Sequence, residues 1–99
     1  MAKLKVVWAV EAKNTFHQIA LYYNIRAGNN KYSRKLYAMI VSSSKLVARF
    51  PYMYRATSVK DTRVFVCEYF KVYYSVHPNY ILLETIFDTR QDPKKDIYQ

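Results

Sequence analysis

The spacing of apolar residues changes from a helical to a strand period near residue 54, and this change constrains the fold more than any other feature. Before it, the apolar positions from Ala12 to Ala27 fall mostly three or four residues apart, which predicts one face of a helix. After it, Phe70, Val72 and Tyr74 alternate with polar residues, which predicts a half-buried strand. The chain is therefore expected to fold as a helical half followed by a strand half.

Turn residues complete this outline of the elements. Residues 4–8 form a short apolar strand, and Gly28 with two following asparagines ends the first helix. A second helix runs from Lys31 to Arg49, where Pro51 ends it. Further strands are predicted at residues 63–67, 70–77 and 80–87. We expect an α+β fold in which an N-terminal strand and an antiparallel helix hairpin precede a three- to four-stranded antiparallel sheet packed on the helices.

Length and apolar runs predict a single domain in the cytoplasm. The 99 residues suit one domain, residues 1–99, in which the polar segment 89–99 is a loose C-terminal extension. The N-terminal apolar run Val6–Val10 is too short for a signal peptide or a membrane span. Cys67 is the only cysteine, so no intrachain disulfide can form, which suits a reducing compartment. We expect no membrane partner.

The residue inventory also excludes several kinds of site. Gly28 is the only glycine, and a phosphate-binding loop needs several. Cys67, His17 and His77 have no zinc-ligand spacing, so we expect neither a metal nor a cofactor. Neither histidine has an evident carboxylate partner in the sequence, and we assign structural roles to both.

The net charge of +9 is distributed unevenly along the chain. Residues 1–50 hold nine basic residues and one acidic residue, whereas residues 51–99 hold seven basic and six acidic residues. A same-sign surface repels itself unless a polyanion binds there, and such binding depends strongly on salt. We predict docking to rRNA, DNA or an acidic protein for a basic stripe on the second helix, consisting of Lys31, Arg34, Lys35, Lys45 and Arg49.

Five segments, in their order and spacing, resemble the RelE/ParE superfamily of toxins from type II toxin–antitoxin (plasmid stabilisation) modules. They are Trp8 with Ala12, the passage Leu46-x-x-x-Phe50-Pro51-x-x-Tyr54-Arg55, the basic Arg63, the strand Phe70-x-Val72-x-Tyr74, and the closing segment 87–93 with Arg90. The resemblance extends roughly from Val6 to Pro93. The sequence departs from the family at Tyr54, where many members carry Gly, and at Phe87–Asp88, where many carry His.

The resemblance implies a growth-arresting toxin that a cognate antitoxin wraps and inactivates. One branch of the family enters the ribosome and cuts mRNA, and another inhibits DNA gyrase without cutting. We predict ribosome-dependent mRNA cleavage. The first alternative is gyrase inhibition, favoured by the lack of a well-placed catalytic His or Glu and by the balanced charge of the strand half. The second is a non-toxic basic RNA-binding module or a toxin relic.

RNA cleavage requires a base for the ribose 2′-OH, a cation for the charge on phosphorus and an acid for the leaving oxygen. Charge stabilisation is often the largest of these contributions. The resemblance places four cations on or near the sheet, and these form the predicted catalytic set: Arg55, Arg63, Lys71 and Arg90. Solvation, packing and a frayed terminus explain three weaker candidates more simply: Lys60, Tyr73 (which could stack on a base) and Tyr98. The spacing selects neither Glu68 nor Glu84 as the base.

Overall fold

Two helices and five strands follow one another in the predicted order. The structure, a computed structural model, describes residues 3–96. Its elements are β1 (Lys5–Trp8), α1 (Val10–Ala27), α2 (Lys31–Arg49), β2 (Arg55–Ala56), β3 (Thr62–Cys67), β4 (Phe70–Val76), β5 (Tyr80–Asp88) and a short 3₁₀ helix (Pro93–Lys95). Within residues 3–96, no helix is long and apolar enough to cross a membrane.

The five strands form one mixed sheet in the order β1-β5-β4-β3-β2. Strands β2 to β5 pair antiparallel with one another, whereas β1 pairs in parallel with β5 and places Val6 opposite Ile81. The α+β prediction is therefore confirmed, but the sheet has five strands instead of three to four. The N-terminal strand is the added member. Its partner lies near the other end of the chain, so local sequence patterns contain no information on this pairing.

A tight turn makes α1 and α2 an antiparallel hairpin. Gly28 ends α1 with φ 72°, and its backbone N–H donates to the carbonyl of Asn24 at 2.9 Å. This left-handed conformation favours glycine because a side chain would be strained there. The Ser33 hydroxyl of α2 donates to the side-chain oxygen of Asn24 at 2.7 Å, which joins the start of α2 to the end of α1.

Both helices pack on the same face of the sheet. The core joins Ala12 of α1 and Leu36, Ile40 and Val47 of α2 to strand residues. Those strand residues define the helix-side face: Phe65, Cys67, Phe70, Val72, Tyr74, Ile81, Leu83 and Ile86. Side chains alternate along a strand. The residues that alternate or pair in register on the other side form the outer face, which includes Arg55, Val64, Val66, Lys71, Tyr73, Ser75, Leu82, Thr85 and Phe87.

The hairpin between β3 and β4 turns at Glu68 and Tyr69, as predicted. No glycine, asparagine or aspartate is present to favour the turn, and Glu68 itself adopts φ 54°. The Glu68 carboxylate lies 3.6 Å from the Lys35 ammonium of α2, with both side chains partly exposed. Register pairing of Cys67 with Phe70 closes the hairpin.

The C-terminal segment returns to the sheet as far as residue 96, which differs from the predicted loose extension. The carboxylate of Asp96 is buried and accepts hydrogen bonds from the Lys71 ammonium, at 3.3 Å, and from the Tyr73 hydroxyl. These partners lie 25 and 23 residues away in the sequence, so the polar composition of the segment did not reveal them. Tyr98 lies outside the described residues.

Candidate functional site

The four basic residues predicted as a catalytic set are divided between the two sides of the sheet. Strand register places Arg55 and Lys71 on the outer face. Arg63 lies on the helix-side face, in register with Tyr74. Arg90 follows β5 and reaches aromatic rings of α1 and the helix-side face. The structure therefore does not bring the four cations together at one site.

Arg63 holds the chain where it passes from α2 to the sheet. Its guanidinium donates to the carbonyl of Tyr54 at 2.6 Å and to that of Tyr52 at 3.4 Å, and it lies 5.1 Å from the centre of the Tyr52 ring. The Tyr74 hydroxyl donates to the carbonyl of Pro51 at 2.9 Å in the same passage. Burial raises the pKa of Tyr74 to about 12, so its hydroxyl stays protonated and remains a donor.

Arg90 closes one end of a groove between α1 and the end of β5. Its guanidinium donates to both carboxylate oxygens of Asp88, at 3.0 and 2.9 Å, and to the Tyr23 hydroxyl. The Tyr69 ring centre lies 4.8 Å from the guanidinium carbon. The hydrogen bonds from Arg90 hold the pKa of Asp88 below its ordinary value. The groove has a volume of about 630 Å³.

Lys71 and Tyr73 share one buried acceptor on the outer face. The side chains of Lys71 and Asp96 are 16% and 1% exposed, so their ion pair is largely out of water. Tyr73 is 1% exposed, and its hydroxyl also donates to Asp96. No face of the Tyr73 ring is open to a stacking base. The ring is packed, which is the explanation that the sequence analysis favoured for Tyr73.

Three polar side chains at the turn end of β4 and β5 form a second group on the outer face, called here the Ser75 cluster. The Ser75 hydroxyl donates to Oε2 of Glu84 at 2.6 Å, and it lies 2.8 Å from Nε2 of His77. The His77 ring stacks on Tyr80 with centroids 4.4 Å apart. Glu84 and His77 are half-buried, whereas Ser75 is buried. A carboxylate and an imidazole are thus joined through one hydroxyl.

Sequence reasoning missed this cluster. It assigned His77 a structural role because no carboxylate partner was evident, and it did not select Glu84. A signal was present, since a hairpin turning at residues 77–79 brings Ser75 close to residues 82–84 of the next strand. A register shift between Tyr73 and Tyr74 accommodates the extra residue, Glu84, on the same side.

The remaining predicted residues lie apart from this face. All five members of the basic stripe are exposed on α2, and Arg49 lies 5.7 Å from the centre of the Phe50 ring. Docking by this stripe stays a prediction. Lys60 is exposed in the loop between β2 and β3, beside a cleft of about 180 Å³. Among residues 3–96, no three His, Cys, Asp or Glu side chains are grouped so that they could hold a metal ion.

Comparison with known proteins identifies the fold. No protein-family model and no curated protein matches the sequence. Among solved structures, the chain is similar to one described as the chromosomal ParDE toxin–antitoxin system from P. aeruginosa. The TM-score is 0.73, and the match covers 89% of this chain and 98% of that chain at 17% identity. The chain therefore has the ParE-like α+β fold that its resemblance to the RelE/ParE superfamily predicted.

Proposed function

We propose that this chain is the toxin of a type II toxin–antitoxin module and arrests growth by cutting mRNA on the ribosome. The similar fold of a chain from the ParDE system supports the toxin assignment. The observation that carries the proposal of cleavage is the joining of Glu84 to His77 through Ser75 on the outer face. A carboxylate and an imidazole are the side chains most often used to move protons in catalysis.

Arg55 and Lys71 are the predicted cations that share the outer face with the Ser75 cluster. Lys71 lies four residues along β4 from Ser75, so these cations would bind phosphates of the substrate that neighbour the reacting one. Arg63 and Arg90 are engaged in contacts that hold the chain together. Lys71 donates to Asp96 in the described structure. A phosphate of the substrate would compete with that carboxylate for Lys71, because both are anionic acceptors.

The basic stripe on α2 supplies the proposed contact with rRNA. Its five cations are exposed on the opposite side of the molecule from the outer face. Phosphate contacts position a protein without reading sequence, so such a stripe can hold the toxin on the ribosome while another surface reacts. This role places the protein in the cytoplasm, where its target lies.

The proposed antitoxin covers an apolar part of α1. Leu21, Tyr22 and Ile25 are 61%, 52% and 72% exposed, and Tyr22 also lines the groove closed by Arg90. Clusters of exposed apolar side chains on a small protein mark interaction surfaces. A Leu21→Asp and Ile25→Asp double variant is therefore expected to escape neutralisation while it keeps its toxicity.

Primer extension on mRNA in a bacterial translation extract tests the proposal. With the purified protein present, we expect cuts at fixed positions within codons, and we expect none when ribosomes are removed. Intact mRNA in the presence of the folded protein would overturn cleavage as the mechanism. Normal growth after expression without an antitoxin would instead favour a non-toxic RNA-binding module.

Inhibition of DNA gyrase is the second candidate function. It is favoured by the structural engagement of Arg63 and Arg90, since the cationic set that the resemblance implies for cleavage is not assembled. A supercoiling assay with purified gyrase distinguishes the two candidates. Loss of supercoiling with intact mRNA identifies a gyrase inhibitor, and unchanged supercoiling with ribosome-dependent cuts identifies a ribonuclease.

A further inference from the structure

We infer that Glu84 and His77 are the general base and the general acid of RNA cleavage, and that Ser75 positions both. The inference rests on the proposed function and assigns the chemistry of its site. It differs from the predicted set of four cations. It also differs from the family pattern, in which a histidine stands at the position of Phe87 or Asp88, close to the other end of β5.

The hydrogen bonds of Ser75 orient its two neighbours. A serine hydroxyl has one proton, and Ser75 gives it to Oε2 of Glu84. The contact of 2.8 Å with His77 therefore has Nε2 as the donor and Ser75 as the acceptor. One carboxylate oxygen and one ring nitrogen, Nδ1, have no part in these two bonds. Nδ1 carries a proton only in the imidazolium form of His77, and in that form the bridge holds a proton acceptor and a proton donor beside each other.

The surroundings of the Ser75 cluster combine rigidity with access. Ser75 is 6% exposed, whereas Glu84 and His77 are half-buried, so the bridge is protected while the reacting groups reach the surface. The His77 ring is held parallel to Tyr80, with 8° between their planes, and the backbone N–H of His77 donates to the Tyr80 carbonyl at 2.9 Å. Groups fixed in this way lose little entropy when a substrate binds.

The reaction assigned to this pair is transesterification at a phosphodiester of RNA. Ionised Glu84 takes the proton of the ribose 2′-OH, and the freed electron pair of O2′ forms a bond to phosphorus. The bond between phosphorus and O5′ breaks with its electron pair on O5′, and protonated His77 gives its proton to that oxygen. The products are a 2′,3′-cyclic phosphate and a 5′-hydroxyl. The pair gains one proton and loses one, and exchange with water restores both groups.

Single-turnover cleavage of a short synthetic mRNA held in programmed ribosomes tests the two assignments. We expect Glu84→Gln and His77→Gln each to slow cleavage by about 100-fold or more, the size of a general acid or base contribution. Glu11→Gln and His17→Gln are the matched controls, because both residues are exposed on α1. The controls should stay within about threefold of the unmodified protein.

A substrate with sulfur in place of O5′ distinguishes the role of His77 as the acid from that of Glu84 as the base. A thiolate leaves without being protonated, because thiols are far more acidic than alcohols. The defect of His77→Gln should therefore fall to about threefold on this substrate, whereas that of Glu84→Gln should persist at about 100-fold. Recovery of His77→Gln also demonstrates that this variant is folded. Melting temperatures by circular dichroism give the same check for Glu84→Gln.

The positioning role of Ser75 predicts a smaller, selective defect. Ser75→Ala should slow cleavage by about tenfold, and Ser75→Thr, which keeps the hydroxyl, should restore most of the rate. The inference is overturned if the unmodified protein cuts and the folded variants Glu84→Gln and His77→Gln cut at the same rate. The proposed function would then still stand. Failure of the unmodified protein to cut would overturn both. If the cleavage rate of His77→Gln does not recover on the sulfur substrate, the assignment of His77 as the acid is overturned.

Discussion

Similar basic residues make different contacts on the two faces of the sheet, as a comparison of Arg63 with Lys71 demonstrates. Each is a basic residue that alternates with apolar neighbours in a strand. Arg63 lies on the helix-side face and holds the passage after α2 by hydrogen bonds to backbone carbonyls. Lys71 lies on the outer face and pairs with the buried Asp96. Register between strands, and not residue type, decides what each basic residue contacts.

The face that carries the core should be far more sensitive to truncation than the outer face. Phe65 is 1% exposed on the helix-side face, and Phe65→Ala should lower the free energy of unfolding by about 3–5 kcal/mol. Phe87 lies half-buried on the outer face, and Phe87→Ala should cost less than about 2 kcal/mol because less packing is lost. Chemical denaturation of both variants measures the difference. Equal losses would contradict the division into a core face and an outer face.

Removal of the buried charge on the outer face should have the next largest effect. Asp96→Asn leaves the Lys71 ammonium without its counter-charge, and it should lower the free energy of unfolding by about 2–4 kcal/mol. Replacing both partners, in Lys71→Met with Asp96→Asn, should cost less, because no unpaired charge then remains. Urea titrations of the two variants provide the comparison. A change below about 0.5 kcal/mol in Asp96→Asn would argue against docking of the C-terminal segment on the sheet.

Two arginines in neighbouring strands should differ according to their face. Arg63→Ala removes charged hydrogen bonds to two carbonyls, and it should destabilise the protein by about 1.5–3 kcal/mol. Arg55→Ala removes an exposed side chain and should change the free energy of unfolding by at most about 0.5 kcal/mol. If Arg55 is a cation of the reactive site, its loss should instead reduce cleavage. Equal destabilisation by the two substitutions would contradict this assignment of roles.

The smallest effect expected is the pH dependence of the Asp88–Arg90 contact. Hydrogen bonds from Arg90 lower the pKa of Asp88 in the folded state. The stabilisation is therefore present above the unfolded pKa of about 4, and it is lost as the pH falls through the folded value. At pH 7, the free energy of unfolding of the unmodified protein should exceed that of Asp88→Asn by less than about 1 kcal/mol, because Arg90 is half exposed. The melting temperatures of the two proteins should differ at pH 7 and converge at pH 2.5.

The secondary structure was largely predictable because its signals are local. Helical spacing and Pro51 gave the bounds of α2 that the structure has, and the left-handed residue at the end of α1 is the only glycine of the chain. The parallel position of β1 was not predictable, since its hydrogen bonds join the two ends of the chain. The contact of Asp96 with Lys71 escaped prediction for the same reason.

The candidate site was less predictable than the fold. Cations stand out in a sequence, and the resemblance emphasised Arg63 and Arg90, but strand register and partners turn both toward structural contacts. Glu84 and His77 were passed over because their connection depends on a third residue, Ser75, and on an irregularity in pairing near Tyr73. The turn at residues 77–79 brings Ser75 close to residues 82–84, but only the irregularity in pairing places Glu84 on the same side.

The sequence by itself determined the order and type of the elements and the basic stripe on α2. These depend on residue periods and on turn residues, which act over a few positions. The tertiary structure alone decided which side chains share a face of the sheet and which titratable groups meet. A one-residue difference in register moves a side chain to the opposite face, so the set of side chains on the outer face was settled only when the strands paired.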